Sequence, residues 1–153
     1  MSPRWDTPDG ELDRDTEGGP VATVTLTAEN HDATVSEGIA LIDFWAAWCG
    51  PCRAFGPVFE RVSEANPDAT FAKVDTEDQQ QLAAMYGISS VPMLVIYRDG
   101  IPVFGQPGAL PQEALEDLLM QVRGLDMDDV RTQYEQQLAA ARSVGAAEEL
   151  RES

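Results

Sequence analysis

Basic residues are scarce in this chain, and cysteine, histidine and lysine are scarcer still. Ten Lys and Arg stand against 27 Asp and Glu among 153 residues, a formal net charge of −17 at pH 7. That surplus of carboxylates repels phosphate backbones and anionic lipid surfaces, which excludes nucleic-acid binding and a role at the membrane surface. No stretch approaches the roughly 18 uninterrupted apolar residues that a spanning helix needs. Met1–Pro20 carries no apolar segment of the signal-peptide kind, so the expected location is the cytoplasm. Lysine occurs once, at Lys73, whereas nine positions are Arg. A coding preference for Arg and a salt-adapted acidic surface both account for the scarcity, and under either one Lys73 stays conspicuous.

Histidine also occurs once, at His31, and the only cysteines are Cys49 and Cys52. A structural disulfide closing so small a loop would remove little chain entropy. Structural zinc takes four ligands, and His31 is far from the cysteine pair in sequence. In a chain read as cytoplasmic and β-α-β in pattern, a lone Cys-x-x-Cys points to a redox pair ahead of a metal half-site or inert thiols. No metal and no cofactor are expected.

What the chain does have is material for one core: 43% of its residues are apolar and 24% charged. Residues 1–20 hold six acids, two Arg and scattered Gly and Pro, a composition that predicts a disordered acidic tail. Val21–Thr27 alternates and is β-branched, so it reads as a strand. Ala28–Glu37 reads as a helix with Thr27 as N-cap and Gly38 as its stop. Ile39–Trp45 is a nearly continuous apolar run, the signature of a central strand covered on both faces. A helix containing Pro57 follows the cysteines and ends at Asn66-Pro67, kinked at the proline.

A strand over Thr70–Asp75 and a helix over Asp78–Tyr86 come next. Strands Met93–Tyr97 and Ile101–Gly105 flank Arg98-Asp99-Gly100, a hairpin signal. Leu115, Leu118, Leu119 and Val122 share one face of a helix over Pro111–Arg123, ended by Gly124. The order predicts an α/β fold: a central mixed sheet with helices on both faces, over residues 21–124. In 125–153, Met127, Val130, Tyr134, Leu138 and Ala141 recur at helical spacing. They predict a further helix over Asp126–Arg142 with a frayed end, a C-terminal extension too weakly apolar to stand alone.

The segment Ile42-Asp-Phe-Trp-Ala-Ala-Trp-Cys-Gly-Pro-Cys52 resembles the active-site stretch of thioredoxins. The resemblance continues through Phe71-Ala-Lys-Val-Asp75, Val91-Pro92, Asp99-Gly100 and Gly108-Ala-Leu110, in order and at similar spacing. It covers about residues 21–123, and Arg53-Ala-Phe with Gln106–Pro111 looks most like the actinobacterial type. The family implies a thioredoxin-like fold, a protein-disulfide reductase and electrons supplied by a thioredoxin reductase. The substrates would be disulfide-bearing proteins, and the chain a monomer or weak homodimer.

From the residues themselves, Cys49 closes a strand and opens a helix, where unpaired N–H groups and the helix dipole favour a thiolate. Cys49 is therefore the expected nucleophile and Cys52, one turn on, the resolving thiol. Pro51 suits the first turn of a helix, since its missing N–H would be unpaired there anyway. Gly50 and Pro51 belong to the expected contact surface. Trp48 reads either as an apolar lid that touches substrate or as a core aromatic.

Asp43, an acid inside an apolar strand, is expected to be buried with a raised pKa, unless it caps a sheet edge. The resemblance gives Asp43 the resolving thiol's proton and brings Lys73 close to it. Pro92 by default would start a strand in trans. The family makes it cis, so that Val91-Pro92 binds substrate as an added strand and Gly108 lets substrate backbone approach. Gly108 reads equally as a turn residue.

Three residues depart from the family pattern. Met93 replaces the usual Thr and would alter the groove wall, and Arg53 replaces a Lys to little effect. His31 takes an aromatic core position, as a satisfied core or surface residue rather than a ligand. Two competing functions remain beside reduction: an oxidase or isomerase, which Gly50-Pro51 disfavours, and a redox adaptor or co-chaperone docked through the C-terminal helix.

Overall fold

The architecture comes from a computed structural model that describes residues 23–152. The expected acidic tail and the first two residues of the expected first strand lie outside them. Five strands and five helices follow in the order β1 (Thr23–Thr25), α1 (His31–Val35), β2 (Ile39–Trp45), α2 (Gly50–Ala65), β3 (Thr70–Asp75), α3 (Gln80–Met85), β4 (Met93–Arg98), β5 (Ile101–Pro107), α4 (Gln112–Arg123) and α5 (Met127–Glu152). The strands form one sheet in the order β1-β3-β2-β4-β5. β1 and β2 run parallel to β3, whereas β4 runs antiparallel to β2 and β5 to β4. The mixed sheet matches the expectation of parallel crossovers early and a hairpin late.

Alternation along β2 decides which core each residue enters. Ile39 and Leu41 join Phe55, Phe59, Val62, Phe71, Leu94, Ile96, Leu115 and Leu119 on the face covered by α2 and α4. Ala40, Ile42 and Phe44 join Leu26, Val35, Val74, Leu82 and Val95 on the face covered by α1 and α3. By the same count Asp43 falls on the α2 side, where its residue is fully buried. On β3, Phe71 lies on the α2 side and Ala72 on the other, so Lys73 shares the face of Asp43 and sits opposite it in register. One strand's pleat thus brings the two charged residues together.

The hairpin turns at Asp99 (φ 54°) and Gly100 (φ 84°), the pair of left-handed residues that its two-residue loop demands. The helix expected over Ala28–Glu37 is shorter. It starts at His31, and Thr27 is not its cap. Asn30 instead shapes the approach: its side chain accepts from the Thr27 N–H at 2.7 Å and donates to the Thr25 carbonyl at 3.0 Å. Those bonds consume the turn's polar groups before the helix begins. α2 runs unbroken through Pro57.

The α5 helix is longer than the apolar stripe that foretold it. Val130 and Tyr134 are half-buried beside Ile101 and Val103 of β5, whereas every residue from Glu135 to Ser143 is exposed. The root of α5 is fastened by Arg98, whose guanidinium donates to the carbonyls of Val122, Arg123 and Leu125 at 2.7, 3.0 and 3.2 Å. These oxygens belong to the last turn of α4 and the link beyond it, where helical donors run short, and the Val122 carbonyl also accepts the Leu125 N–H at 3.3 Å. Arg98→Ala is expected to cost about 2 kcal/mol, the scale of hydrogen bonds to a charged group. Urea denaturation checks it, and an unchanged midpoint would show that the clamp adds nothing.

Candidate active site

β2 ends at Trp45 and α2 begins at Gly50, and Cys49 is the N-cap between them, in an extended conformation. Its Sγ accepts the backbone N–H of Cys52 at 3.1 Å, and Pro51 occupies the first turn. A helix start leaves N–H groups without partners, and here one of them finds sulfur. Cys49 and Cys52 are joined as a disulfide with their Cα atoms 5.2 Å apart. Both are buried, and they pack with Ala46 while Trp45 and Val91 lean against them.

Trp48 is 67% exposed, which settles it as a surface aromatic rather than a core one. Its indole N–H donates to the Glu77 carboxylate. Glu77 had no signal in the sequence: it is one acid among several in the turn after β3, and only the fold brings it to Trp48. A small cavity of about 140 Å³ beside Trp48 is lined by Thr76, Ile88, Ser89, Ser90 and Val91.

The Val91–Pro92 peptide is cis, and the Val91 carbonyl oxygen lies 3.6 Å from the Cys49 sulfur. Gly108 donates its N–H to the Pro92 carbonyl at 2.8 Å with φ at +100°, a conformation that suits only glycine. So Val91 touches the Cys49 sulfur, and Gly108 is bonded to Pro92, the next residue along. Met93 does not line that small cavity. Its side chain packs with the core cluster on the α1 and α3 face, where its methyl group would touch a Cβ built on Gly105 at 3.4 Å.

Asp43 is buried, and neither carboxylate oxygen has a hydrogen-bond partner. Burial pushes its pKa up to about 7, against a smaller downward pull from Lys73. Lys73 itself makes its ion pair elsewhere. Its ammonium lies 3.6 Å from a Glu60 carboxylate oxygen and 5.5 Å from the centre of the Trp45 ring.

His31 is the satisfied core histidine that its position suggested. Nδ1 meets Asp32 at 2.8 Å, and Nε2 meets the Tyr86 hydroxyl, which in turn bonds the Tyr97 hydroxyl at 2.7 Å. Burial and the bond to Tyr97 hold the Tyr86 phenol well above its ordinary pKa. Among the described residues no cluster of three or more His, Cys, Asp or Glu is placed to hold a metal ion.

The thioredoxin family model matches residues 22–121. A Streptomyces coelicolor protein described as a putative thioredoxin 2 is 57% identical over 121 residues, which is 78% of this chain and 90% of that one. The Bacillus subtilis thioredoxin is 39% identical over 100 residues, 65% of this chain and 96% of its own. Among solved structures, a single-residue variant of Halobacterium salinarum thioredoxin matches with a TM-score of 0.64 at 35% identity, covering 72% of this chain and 98% of that one. With the cis proline set against a Cys-Gly-Pro-Cys disulfide at a strand-to-helix junction, these likenesses identify the redox pair as Cys49–Cys52, and the chain belongs to the thioredoxin family of protein thiol–disulfide oxidoreductases.

Proposed function

We propose that this protein is a general reductant of protein disulfides in which Cys49 attacks and Cys52 resolves. The observation that carries the reading is the Cys52 N–H donating to the Cys49 sulfur at the start of α2. Once the pair is reduced, that donor and the helix dipole favour a thiolate at Cys49. The thiolate attacks one sulfur of a substrate disulfide, and the other substrate sulfur leaves as a thiolate and takes up a proton. Cys52, deprotonated, then attacks the Cys49 sulfur of the mixed disulfide. That step releases the second substrate thiol and closes the Cys49–Cys52 bond.

Two electrons pass from the pair to the substrate, and a flavin-dependent thioredoxin reductase returns them. The cysteine pair carries the electrons, so no cofactor or metal is called for. The working compartment is the cytoplasm, where thiols are kept reduced. Trp48, Gly50, Pro51, Val91, Pro92 and Gly108 form the surface on which substrate lies, with the segment before Pro92 pairing as an added strand. All of these residues lie in one chain, so a monomer suffices.

Asp43 takes the Cys52 proton in the resolving step. What supports this role is its place on the α2 side of the sheet and a pKa near 7, where a carboxyl group accepts and returns a proton at neutral pH. Lys73, opposite it in register, tunes that exchange by its charge. The catalytic unit is residues 21–124, and 125–153 is an extension that the chemistry does not need.

Three outcomes test the reading. Cys49→Ser abolishes reduction of a protein disulfide, and Cys52→Ser accumulates a mixed disulfide through Cys49, as read by mass spectrometry. An adduct in Cys49→Ser but none in Cys52→Ser would reverse the assignment. Asp43→Asn stabilises the fold at pH 8. The folded carboxyl holds its proton up to about pH 7, against 3.8 in the unfolded chain, so stability is greatest below about pH 4 and falls as pH rises toward 7. The whole fall is worth on the order of 4 kcal/mol, so the gain from Asn is largest at pH 8 and smallest at pH 4 in denaturation curves. Removal of residues 125–153 leaves turnover on a small disulfide within a few-fold of the full chain. Loss of most activity in a truncation that stays folded by circular dichroism would tie α5 to the site.

A further inference from the structure

A cavity of about 360 Å³ opens beside the resolving cysteine, lined by Trp45, Cys52, Arg53, Gly56, Pro57, Glu60 and Lys73. It holds the chain's only lysine and that lysine's ion-pair partner. Lys73 and Asp43 are register partners on adjacent strands and point to the same side of the sheet. Yet both Asp43 oxygens lack any hydrogen-bond partner, so the ammonium has not closed on them. Two features draw it outward instead: the Glu60 carboxylate at 3.6 Å and the face of the Trp45 ring. Gly56 lies alongside that path: a Cβ built on it would make an ordinary contact with Nζ at 3.7 Å. Glu60 is two turns along α2 from Cys52, on the side that faces the cavity.

We propose that Glu60 is a positioning residue: it holds the Lys73 ammonium at the cavity mouth, off the Asp43 carboxyl, and so sets the pH range over which Asp43 exchanges a proton with Cys52. The inference rests on the proton role given to Asp43 above and adds the group that adjusts it. The charged and titratable neighbours are few. α2 contributes Cys52, Arg53 and Glu60, and the Arg53 guanidinium is tied to the Ala47 carbonyl at 2.8 Å. β3 contributes Lys73 and Asp75, and Asp75 is occupied by the N–H groups of Glu77 and Asp78. β4 places Leu94 opposite Asp43, and the buried residues of α4 on this side are Leu115, Leu119 and Val122. Among these groups Lys73 is the cation whose position decides how easily Asp43 gives up its proton, and Glu60 decides the position of Lys73.

The sign follows from charge. Without Glu60, the ammonium is free to swing toward Asp43 and stabilise its carboxylate, so Asp43 loses its proton at lower pH. The ion pair is half-exposed, and pairs of that kind couple by small factors, so the expected change in proton affinity is about two- to fivefold.

The experiment is a titration of the Asp43 side-chain carboxyl carbon by NMR in the full-length oxidised protein, alongside the pH profile of single-turnover reduction of insulin. Glu60→Gln moves both midpoints down together, and Glu60→Asp returns them toward the parent. In a Lys73→Met background, Glu60→Gln leaves the Asp43 midpoint in place. An Asp43 midpoint that ignores Glu60→Gln overturns the proposal. A midpoint that moves as far with Met at position 73 also overturns it, because the effect would then be the direct charge of Glu60 rather than the placing of Lys73. Asp43→Asn separates the two readings: a single-turnover profile indifferent to that change would remove the proton role of Asp43, whereas the titration judges Glu60 on its own.

Discussion

An α-helix begins with N–H groups that nothing inside the helix can satisfy, and in this protein a sulfur atom accepts one of them. The Cys49 cap requires an extended residue directly before the helix, which the chain leaving β2 supplies, and a first turn that tolerates proline, which Pro51 fills. The cap also requires β2 to stop at a fixed point, so that the chain can turn out of the sheet beside the cis peptide at Pro92. The long buried strand, the helix behind it and the loop at Gly108 are all arranged around that one junction.

The same strand carries the main conflict in the structure. β2 is buried along its length except at its last residue, and its apolar side chains accept that burial. Asp43 does not: it sits without a hydrogen bond among apolar side chains, where a charged carboxylate is strongly disfavoured. A fold optimised for stability alone would place an apolar residue there. The two aromatic-rich cores on either side of the sheet supply the surplus stability that lets this carboxyl persist. Burial raises its pKa to about 7, which suits the proton role proposed for it.

Much of this was legible in the sequence, for identifiable reasons. β2 and β3 are short apolar runs with turn residues at both ends, and the structure bounds them where the sequence did. The hairpin was announced by Asp99-Gly100, because few pairs accept two left-handed residues. Cys49, Cys52 and Trp48 were legible because cysteine and tryptophan are rare in this chain, whereas Pro92 and Gly108, two among many prolines and glycines, were singled out only by the resemblance. α1 was misjudged at its start because Asn30 turns its side chain back on the preceding residues, a local choice that a search for a capping residue at Thr27 passed over. Glu77 and Glu60 were invisible for the opposite reason. Among 27 acids no single one stands out, and only the folded backbone shows which of them meets an indole or an ammonium. The chain of His31, Tyr86 and Tyr97 joins three separate elements and could not be read along the sequence.

β4 has a different task at each end. Pro92 immediately precedes it, beside the disulfide, and Arg98 ends it, gripping the carbonyls from which α5 departs. Six residues at about 3.3 Å each make it a strut of roughly 20 Å. The redox groove and the root of the extension therefore stand at opposite ends of one stiff strand, held between β2 and β5. A body that gripped the root of α5 would approach from the end of the domain remote from Trp48, leaving the mouth of the groove clear for a disulfide to enter.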